Sequence, residues 1–301
     1  VLFCYSGKES MKIINLFSEK KCVFSIEVFP PKQAASFDAM LQKLDALAAL
    51  KPDFISVTYG AGGSAAGRGT ADIADYLKNT LSVEPLAHLT CVNSSRDQIG
   101  TALDDLRNRG IENILALRGD KNPNVPPKDD FHYASELAQA ITEYGGFSLA
   151  GACYPEGHVE SASLARDVES LQYKIDAGVS HLITQLFFDN GTFYRFLNLA
   201  RKAGITVPVQ AGVMPIVNVR QISRTVALSS ASLPHSFTKM ISRWEHDEQA
   251  LFDAGIDYAI SQIRDLITGG ADGVHLYAMN NPEVARRVYD GVSDLLEDLN
   301  A

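Results

Sequence analysis

The chain has 301 residues, with 27 Lys+Arg against 36 Asp+Glu and a formal net charge of −9. An acidic chain with no basic run longer than pairs such as Lys20-Lys21 lacks the cationic face that releases counterions from a polyanion, which excludes nucleic acid as a partner. Apolar residues make up 46% but come in short pieces, so disorder is excluded and nothing approaches the ~20 uninterrupted apolar residues of a membrane span.

The opening Val1-Leu2-Phe3-Cys4-Tyr5-Ser6-Gly7-Lys8 has no basic segment followed by an apolar core, so no secretory signal is visible. Residues 1–20 read as an N-terminal extension or helix ahead of a single domain over 21–301. The cysteines, Cys4, Cys22, Cys91 and Cys153, are scattered without a C-x-x-C pair or a companion histidine. They fit reduced thiols in a cytoplasmic protein, and no metal site is expected.

Eight segments rich in β-branched and aromatic residues follow in order: Val23–Phe29, Phe54–Tyr59, Pro85–Cys91, Asn113–Gly119, Ser148–Tyr154, His181–Phe188, Val207–Val213 and Gly273–Met279. Helical periodicity fills the intervals, as in Phe37, Met40, Leu41, Leu44, Leu47 and Ala48, or Leu164, Val168, Leu171 and Ile175. Gly110, Gly178, Gly204 and Gly270 stand where helices should close in a left-handed conformation. Strands apolar on both faces and alternating with helices point to a parallel sheet.

An open doubly wound sheet and a closed eight-stranded barrel remain, and spacing separates them. With strand ends at Glu27, Thr58, His88, Asp120, Tyr154 and Gln185, the intervals are 31, 30, 32, 34 and 31 residues. One steady βα period and eight strands predict a (βα)8 TIM barrel. From Gln185 to Tyr277 the interval is 92, room for two units, a seventh strand near Val209 and an insertion of extra helices within 217–269.

In such barrels chemistry gathers at the C-terminal strand ends. Glu27, Thr58, His88, Arg118 with Asp120, Tyr154, Gln185 and Tyr277 would meet on that rim. Glu27 sits in an apolar strand, where burial raises a carboxyl pKa toward a general acid's range; an ion pair with Lys32 or Arg118 is the structural alternative. Arg118 could hold a phosphate or Asp120 itself, and Gly119 lets backbone approach a ligand closely. Gly60-Ala61-Gly62-Gly63-Ser64-Ala65 fits G-x-G-x-x-A after a strand. Gly67-Arg68-Gly69 delays the helix, however, and the position in a second βα unit fits a rim loop better than a dinucleotide fingerprint. Asp167, Ser170, Tyr173 and Lys174 share one helical face, a solvated stripe or a ligand wall. The aromatics after Gln185, Leu186-Phe187-Phe188, could grip a flat ring or belong to the core.

With those residues in place, the sequence from about Val23 to Leu296 resembles the methylenetetrahydrofolate reductase family, specifically its barrel catalytic domain in the bacterial form without a regulatory domain. The resemblance rests on Ser25-Ile26-Glu27-Val28-Phe29-Pro30-Pro31, Ser56-Val57-Thr58-Tyr59-Gly60-Ala61-Gly62-Gly63, His88-Leu89-Thr90-Cys91, Leu117-Arg118-Gly119-Asp120, Tyr154-Pro155-Glu156-Gly157-His158 and Thr184-Gln185. It implies an FAD-dependent reduction of 5,10-methylenetetrahydrofolate to 5-methyltetrahydrofolate by NAD(P)H, in two half-reactions through flavin N5, feeding methionine synthesis. It implies Glu27 as the acid that opens the folate ring, and Asp120 as the carboxylate that stabilises the resulting iminium cation. FAD contacts are implied at Tyr59, Ala61, His88, Arg118, Gly119, Asp120, Ala134, Tyr154, His158, Asp167, Ser170, Tyr173 and Lys174, with Thr58 beside the nicotinamide. Folate contacts are implied at Glu27, Asp120, Gln185, Gln221, Tyr277, Met279 and Asn281. Ser170, Tyr173, Thr225, Met279 and Asn281 depart from the family's usual residues. A cytoplasmic homo-oligomer is the family expectation.

Overall fold

The computed structural model describes residues 11–301 apart from 32, 34–35, 60–68, 121–127, 223–224 and 226–230. Eight parallel strands, β1 (Val23–Val28), β2 (Phe54–Val57), β3 (Pro85–Thr90), β4 (Asn113–Leu117), β5 (Ser148–Cys153), β6 (Val179–Thr184), β7 (Val209–Val213) and β8 (Gly273–Leu276), form a closed barrel. They pair in chain order, and β8 returns to β1 through Val23–Gly273 and Ser25–His275. A TIM barrel is therefore what the 30-odd-residue spacing encodes.

Around the strands lie α1 (Ile13–Glu19), α2 (Phe37–Ala48), α3 (Thr70–Asp75), α4 (Arg96–Asn108), α5 (Ala134–Tyr144), α6 (Leu164–Asp176), α7 (Asn190–Lys202), α8 (His235–Trp244), α9 (Glu248–Thr268), α10 (Pro282–Asp290) and α11 (Ser293–Asn300). Helix α2 buries Phe37, Met40, Leu44 and Leu47, the three- and four-residue steps that define one face. Helix α4 starts on a capping box, with Gln98 N donating to Ser95 Oγ and Ser95 N to Gln98 Oε1. Gly110, Gly178, Gly204 and Gly270 all have positive φ, between 73° and 103°, so each ends its helix without the penalty a Cβ would add. Helices α8 and α9 both stand between β7 and β8. At Gly255, α9 crosses so close to the chain after β7 that a Cβ there would lie 1.8 Å from Ile216 O.

All eight strands differ from the pattern at one end or both, by one to four residues, and most at the ends of β6 and β8. β6 begins at Val179 and stops at Thr184, because Gln185 Oε1 accepts from Leu186 N at 2.9 Å and turns the chain off the sheet. Phe187 and Phe188 are then buried against Phe193 and Phe237, at ring separations of 5.5 and 4.4 Å, so they are core and not a ring-gripping pair. β8 ends at Leu276, since Met279 and Asn280 both take φ of 54°, which no strand accommodates.

Alternation sends every second strand residue into the barrel. Val23, Phe54, Leu86, Leu115, Ala150 and Ile183 fill its N-terminal half together with Ile13 and Leu16 of α1. Helix α1 closes that end: Ile13 N donates to Asn113 Oδ1 at 2.9 Å, and Asn113 Nδ2 donates to Met11 O at 3.0 Å and to Glu84 Oε1 at 2.8 Å. Asn113→Leu leaves the buried Ile13 N–H without its acceptor and removes the bonds to Met11 O and Glu84 Oε1, and we expect a loss of about 1–3 kcal/mol. Denaturant unfolding should show it, with faster amide exchange at Ile13.

Candidate active site

Near the C-terminal end of β1, Glu27 extends into the barrel mouth with 21% of its side chain exposed. Its Oε2 lies 3.9 Å from His88 Nε2 on β3 and 3.9 Å from His275 Nε2 on β8. Of the two expected cationic partners, Arg118 is engaged elsewhere, and Lys32 lies outside the described residues. His88 is buried, and burial pushes its imidazole down to about 4 against an upward pull from Glu27. The mouth continues through Tyr277, whose hydroxyl donates to Thr184 O at 2.8 Å. Burial raises the Tyr277 phenol well above its usual range, with Glu27, Cys153 and Tyr154 adding to the rise.

A cavity of about 1,020 Å³ opens over the ends of β4 and β5, between α5 and α6. Arg118, Ala134, Tyr154, His158, Asp167, Ser170, Tyr173 and Lys174 all line it. Four of them come from the single face of α6 that the sequence spacing marked, and α6 is held in phase by burying Asp167, Val168 and Leu171. Lys174 Nζ donates to Ala152 O at 2.7 Å, and burial pushes its ammonium down while Cys153 and Asp167 hold it up. Burial raises the Asp167 carboxyl despite a hydrogen bond from His158 N at 3.1 Å and the pull of Lys174. Ser170 Oγ donates to Asp167 O at 2.6 Å, and the Tyr154 and His158 rings meet edge-on at 4.8 Å. Tyr173 is 71% exposed at the rim. A second cavity of about 310 Å³ lies at the other end of the barrel, against Lys20, Asp53 and Tyr289.

Arg118 forms a bidentate pair with Glu160, Nη1 to Oε2 at 2.5 Å and Nη2 to Oε1 at 3.1 Å, in place of the pairing with Asp120 that adjacency suggested. Asp120 is exposed at the edge of the described residues, near enough to raise both the Arg118 and the Tyr154 pKa. Gly119 has φ of 84°, and a Cβ there would lie 3.0 Å from Thr90 Cβ, so only glycine lets this turn seat. Thr58 follows β2 directly and its carbonyl accepts from Thr70 Oγ1 at 2.8 Å, while Tyr59 packs half-buried on the core. Ala61 and the glycine-rich loop lie outside the described residues.

The expected folate contacts are more dispersed. Gln185 Oε1 is taken by Leu186 N, and Gln221 Oε1 by Val217 N at 2.8 Å. Met279 is exposed beside Asn281, whose Oδ1 caps α10 by accepting from Glu283 N and Val284 N at 3.0 and 3.3 Å. Thr225 is buried with Oγ1 3.5 Å from Met214 Sδ. Sequence reasoning missed His275, the inward residue two positions below Tyr277, although period-2 alternation would have found it. It also missed Glu160 and Asn280, whose carboxamide pairs with both N and O of Phe29 at 3.0 and 2.8 Å and anchors the chain leaving β1. Among the described residues no group of three His, Cys, Asp or Glu could hold a metal, and no helix is long and apolar enough to cross a membrane.

Fold and site together define an α/β-barrel protein with a carboxylate at its mouth and a long cavity of mixed charge beside it. The protein-family model that matches, over residues 12–293, is Methylenetetrahydrofolate reductase, and the chain belongs to that family. It is 34% identical over 261 residues to 5,10-methylenetetrahydrofolate reductase of Pectobacterium carotovorum subsp. carotovorum and 33% over 261 residues to that of Escherichia coli, covering 87% of each chain in both cases. It is 34% identical over 291 residues to the probable NADH enzyme of Oryza sativa subsp. japonica, covering 90% of this chain, and spans 48% of that relative's length. A Clostridium thermocellum protein solved with two copies of 5-methyl-5,6,7,8-tetrahydrofolic acid shares the fold, with a TM-score of 0.66, 12% identity and coverage of 94% of this chain and 98% of that one.

Burial also sets a pH dependence. His88 and His181, the latter pushed down to about 3 by burial, resist protonation when folded but take protons near 6.5 when unfolded. The unfolded chain then binds more protons, so this contribution is complete above pH 6.5 and is lost as pH falls toward 4 and 3. His181 packs on Phe17 and Phe54 at 5.1 and 6.5 Å, so His181→Leu should flatten the decline in urea midpoint between pH 6.5 and 4. An unchanged slope would remove His181 from the account.

Proposed function

We propose that the protein is an FAD-dependent methylenetetrahydrofolate reductase, reducing 5,10-methylenetetrahydrofolate to 5-methyltetrahydrofolate with NAD(P)H. The observation that carries this reading is one cavity lined by eight residues implied as FAD contacts, adjoining a mouth that presents Glu27. Family membership and the bacterial relatives' activity support it.

The cavity suits an elongated anionic cofactor. Its ~1,020 Å³ is at the upper end of small-molecule sites. Arg118 offers a planar fork that now grips the exposed Glu160 carboxylate and would grip a phosphate in the same bidentate way. The Lys174 ammonium has three donors, one of them given to Ala152 O. Bound there, a flavin supplies a two-electron relay, accepting hydride from NAD(P)H and passing it to the folate methylene carbon.

The chain's own residues then have separable tasks. Arg118, His158 and Lys174 bind the cofactor's charged portion, while Asp167 holds the His158 backbone and counters Lys174. Glu27 gives its proton to the folate nitrogen as the methylene–nitrogen bond breaks, leaving an iminium cation that takes up the hydride. Asp120, exposed at the rim, stabilises that cation by charge. Gln185, at the β6 end, and Gln221, after β7, would contact the pterin on exchanging their local backbone bonds. No basic residue stands at Asn281, so this position contributes no cation to the folate tail.

The test is direct. Supplied with FAD, the purified protein should become yellow and oxidise NADH or NADPH over many turnovers when methylenetetrahydrofolate is present to reoxidise the flavin, and by about one equivalent per flavin when neither folate nor oxygen is present. Glu27→Gln should still bind FAD and be reduced by the nicotinamide at a near-normal rate, yet reduce folate about 10²–10⁴-fold more slowly. Failure of the wild type to retain FAD would remove the reading itself. Normal folate reduction by Glu27→Gln would remove the role given to Glu27.

A further inference from the structure

Beneath Glu27 the barrel interior holds a chain of buried polar groups from four strands: Gln210 (β7), Ser25 (β1), His275 (β8) and Ser56 (β2). Their hydrogen bonds favour one arrangement of the protons. Gln210 Nε2 faces three oxygens, Ser25 Oγ at 3.0 Å, Val23 O at 3.4 Å and Val274 O at 3.5 Å, so the amide's NH₂ end must point there. Ser25 Oγ therefore accepts from Gln210. Its one proton can go to His275 Nδ1 at 2.6 Å or to Val274 O at 3.4 Å; the second choice has Nδ1–H donating to the serine and leaves the serine proton on a long contact, so the first is favoured. A neutral ring that accepts at Nδ1 carries its hydrogen on Nε2. That nitrogen lies 3.1 Å from Ser56 Oγ and 3.9 Å from Glu27 Oε2.

We propose that His275 is a positioning residue for Glu27: locked as the Nε2–H tautomer between Ser25 and Ser56, it donates to Ser56 Oγ, keeps the electropositive edge of its ring 3.9 Å from Oε2, and so directs the carboxyl proton to Oε1. This rests on the general-acid role given to Glu27 above. His88 Nε2 sits at the same 3.9 Å from Oε2, so both imidazoles address one oxygen and leave the other for substrate. As Oε1–H breaks and the folate N–H forms, the charge left on the carboxylate is stabilised at Oε2. The titratable groups around His275 are Glu27 from β1, His88 from β3, His181 from β6 and Tyr277 after β8. Burial keeps His88 and His181 neutral at neutral pH and Tyr277 protonated, so none of those three places a charge on the pair.

Two measurements test the proposal. In protein labelled with ¹⁵N-histidine, ring-nitrogen NMR should show His275 as the Nε2–H tautomer in wild type, and Ser25→Ala should lose that preference. An Nδ1–H ring in wild type would overturn the lock whether or not the protein reduces folate. In the FAD-loaded enzyme, His275→Leu should slow the folate half-reaction about tenfold or more and move its alkaline limb up by about one pH unit, leaving reduction by NAD(P)H within about twofold. His275→Gln, which keeps an N–H donor, should restore most of the rate. Ser25→Ala, a smaller change that leaves the ring in place, should move the limb in the same direction and decides the matter should the leucine variant not fold. An unmoved limb, or an equal loss in both half-reactions, would sink the proposal. A wild type that binds FAD but reduces no folate would instead sink the functional reading, with the tautomer measurement still deciding the lock.

Discussion

A closed eight-stranded barrel allows no choice about where alternate side chains go, because every inward residue must share one narrow interior with those of seven other strands. Here that interior changes character along its axis. Val23, Phe54, Leu86, Leu115, Ala150 and Ile183 fill the lower half with hydrocarbon, and α1 seals it. Above them stand Ser25, Ser56, His88, Gln210 and His275, all buried. Polar groups in such a place cost free energy unless they bond to one another, and the Gln210–Ser25–His275–Ser56 chain is how this barrel meets that demand. The order imposed by that requirement reaches Glu27, the next inward residue on β1 and the register partner of Ser56.

Net acidity and an anionic ligand are compatible because the cavity carries its own exchangeable counter-ion. Glu136, Glu143, Glu160 and Asp176 line it together with Arg118 and Lys174, so its average charge would repel a phosphate. Arg118 already holds a carboxylate in fork geometry, however, and that carboxylate belongs to a half-exposed loop residue. Such an exposed pair is worth little, on the order of 1 kcal/mol or less, so trading it for a doubly bonded phosphate costs little. On the proposed reading the −9 of the whole chain matters little to the cavity, where two or three placed cations would decide binding.

Whatever repeats along the chain was legible from it. The βα period, the four helix-closing glycines and the α6 face of Asp167, Ser170, Tyr173 and Lys174 all follow from local spacing, and each appears in the structure where the spacing put it. Contacts between residues far apart in sequence were not legible. Nothing near Arg118 announces a partner 42 residues away, and adjacency pointed instead to Asp120. Asn281 was read against a ligand, yet its oxygen is used one turn into its own helix. The end of β6 was placed too late because Phe187 and Phe188 look like strand residues, whereas their burial comes from α7 and α8 after the chain has left the sheet.

The two functional layers of the mouth are mechanically joined through a position with no side chain. A Cβ at Gly212 would lie 2.3 Å from Thr184 O and 2.6 Å from the Tyr277 ring, so the tyrosine lies directly across β7, with its hydroxyl bonded to the β6 carbonyl. From there its ring meets His275 edge-on at 5.2 Å, while Phe54 stacks on His275 at 6.1 Å. His275 is thus held on its faces and edges by aromatic packing and at both nitrogens by serines, which removes the ring's freedom to swing away from Glu27. A carboxylic acid near solvent would otherwise sample several rotamers and protonation isomers. Glycine at 212 is what admits Tyr277, Tyr277 is what confines His275, and on the proposal above a confined imidazole gives a largely buried glutamate a preferred oxygen for its proton.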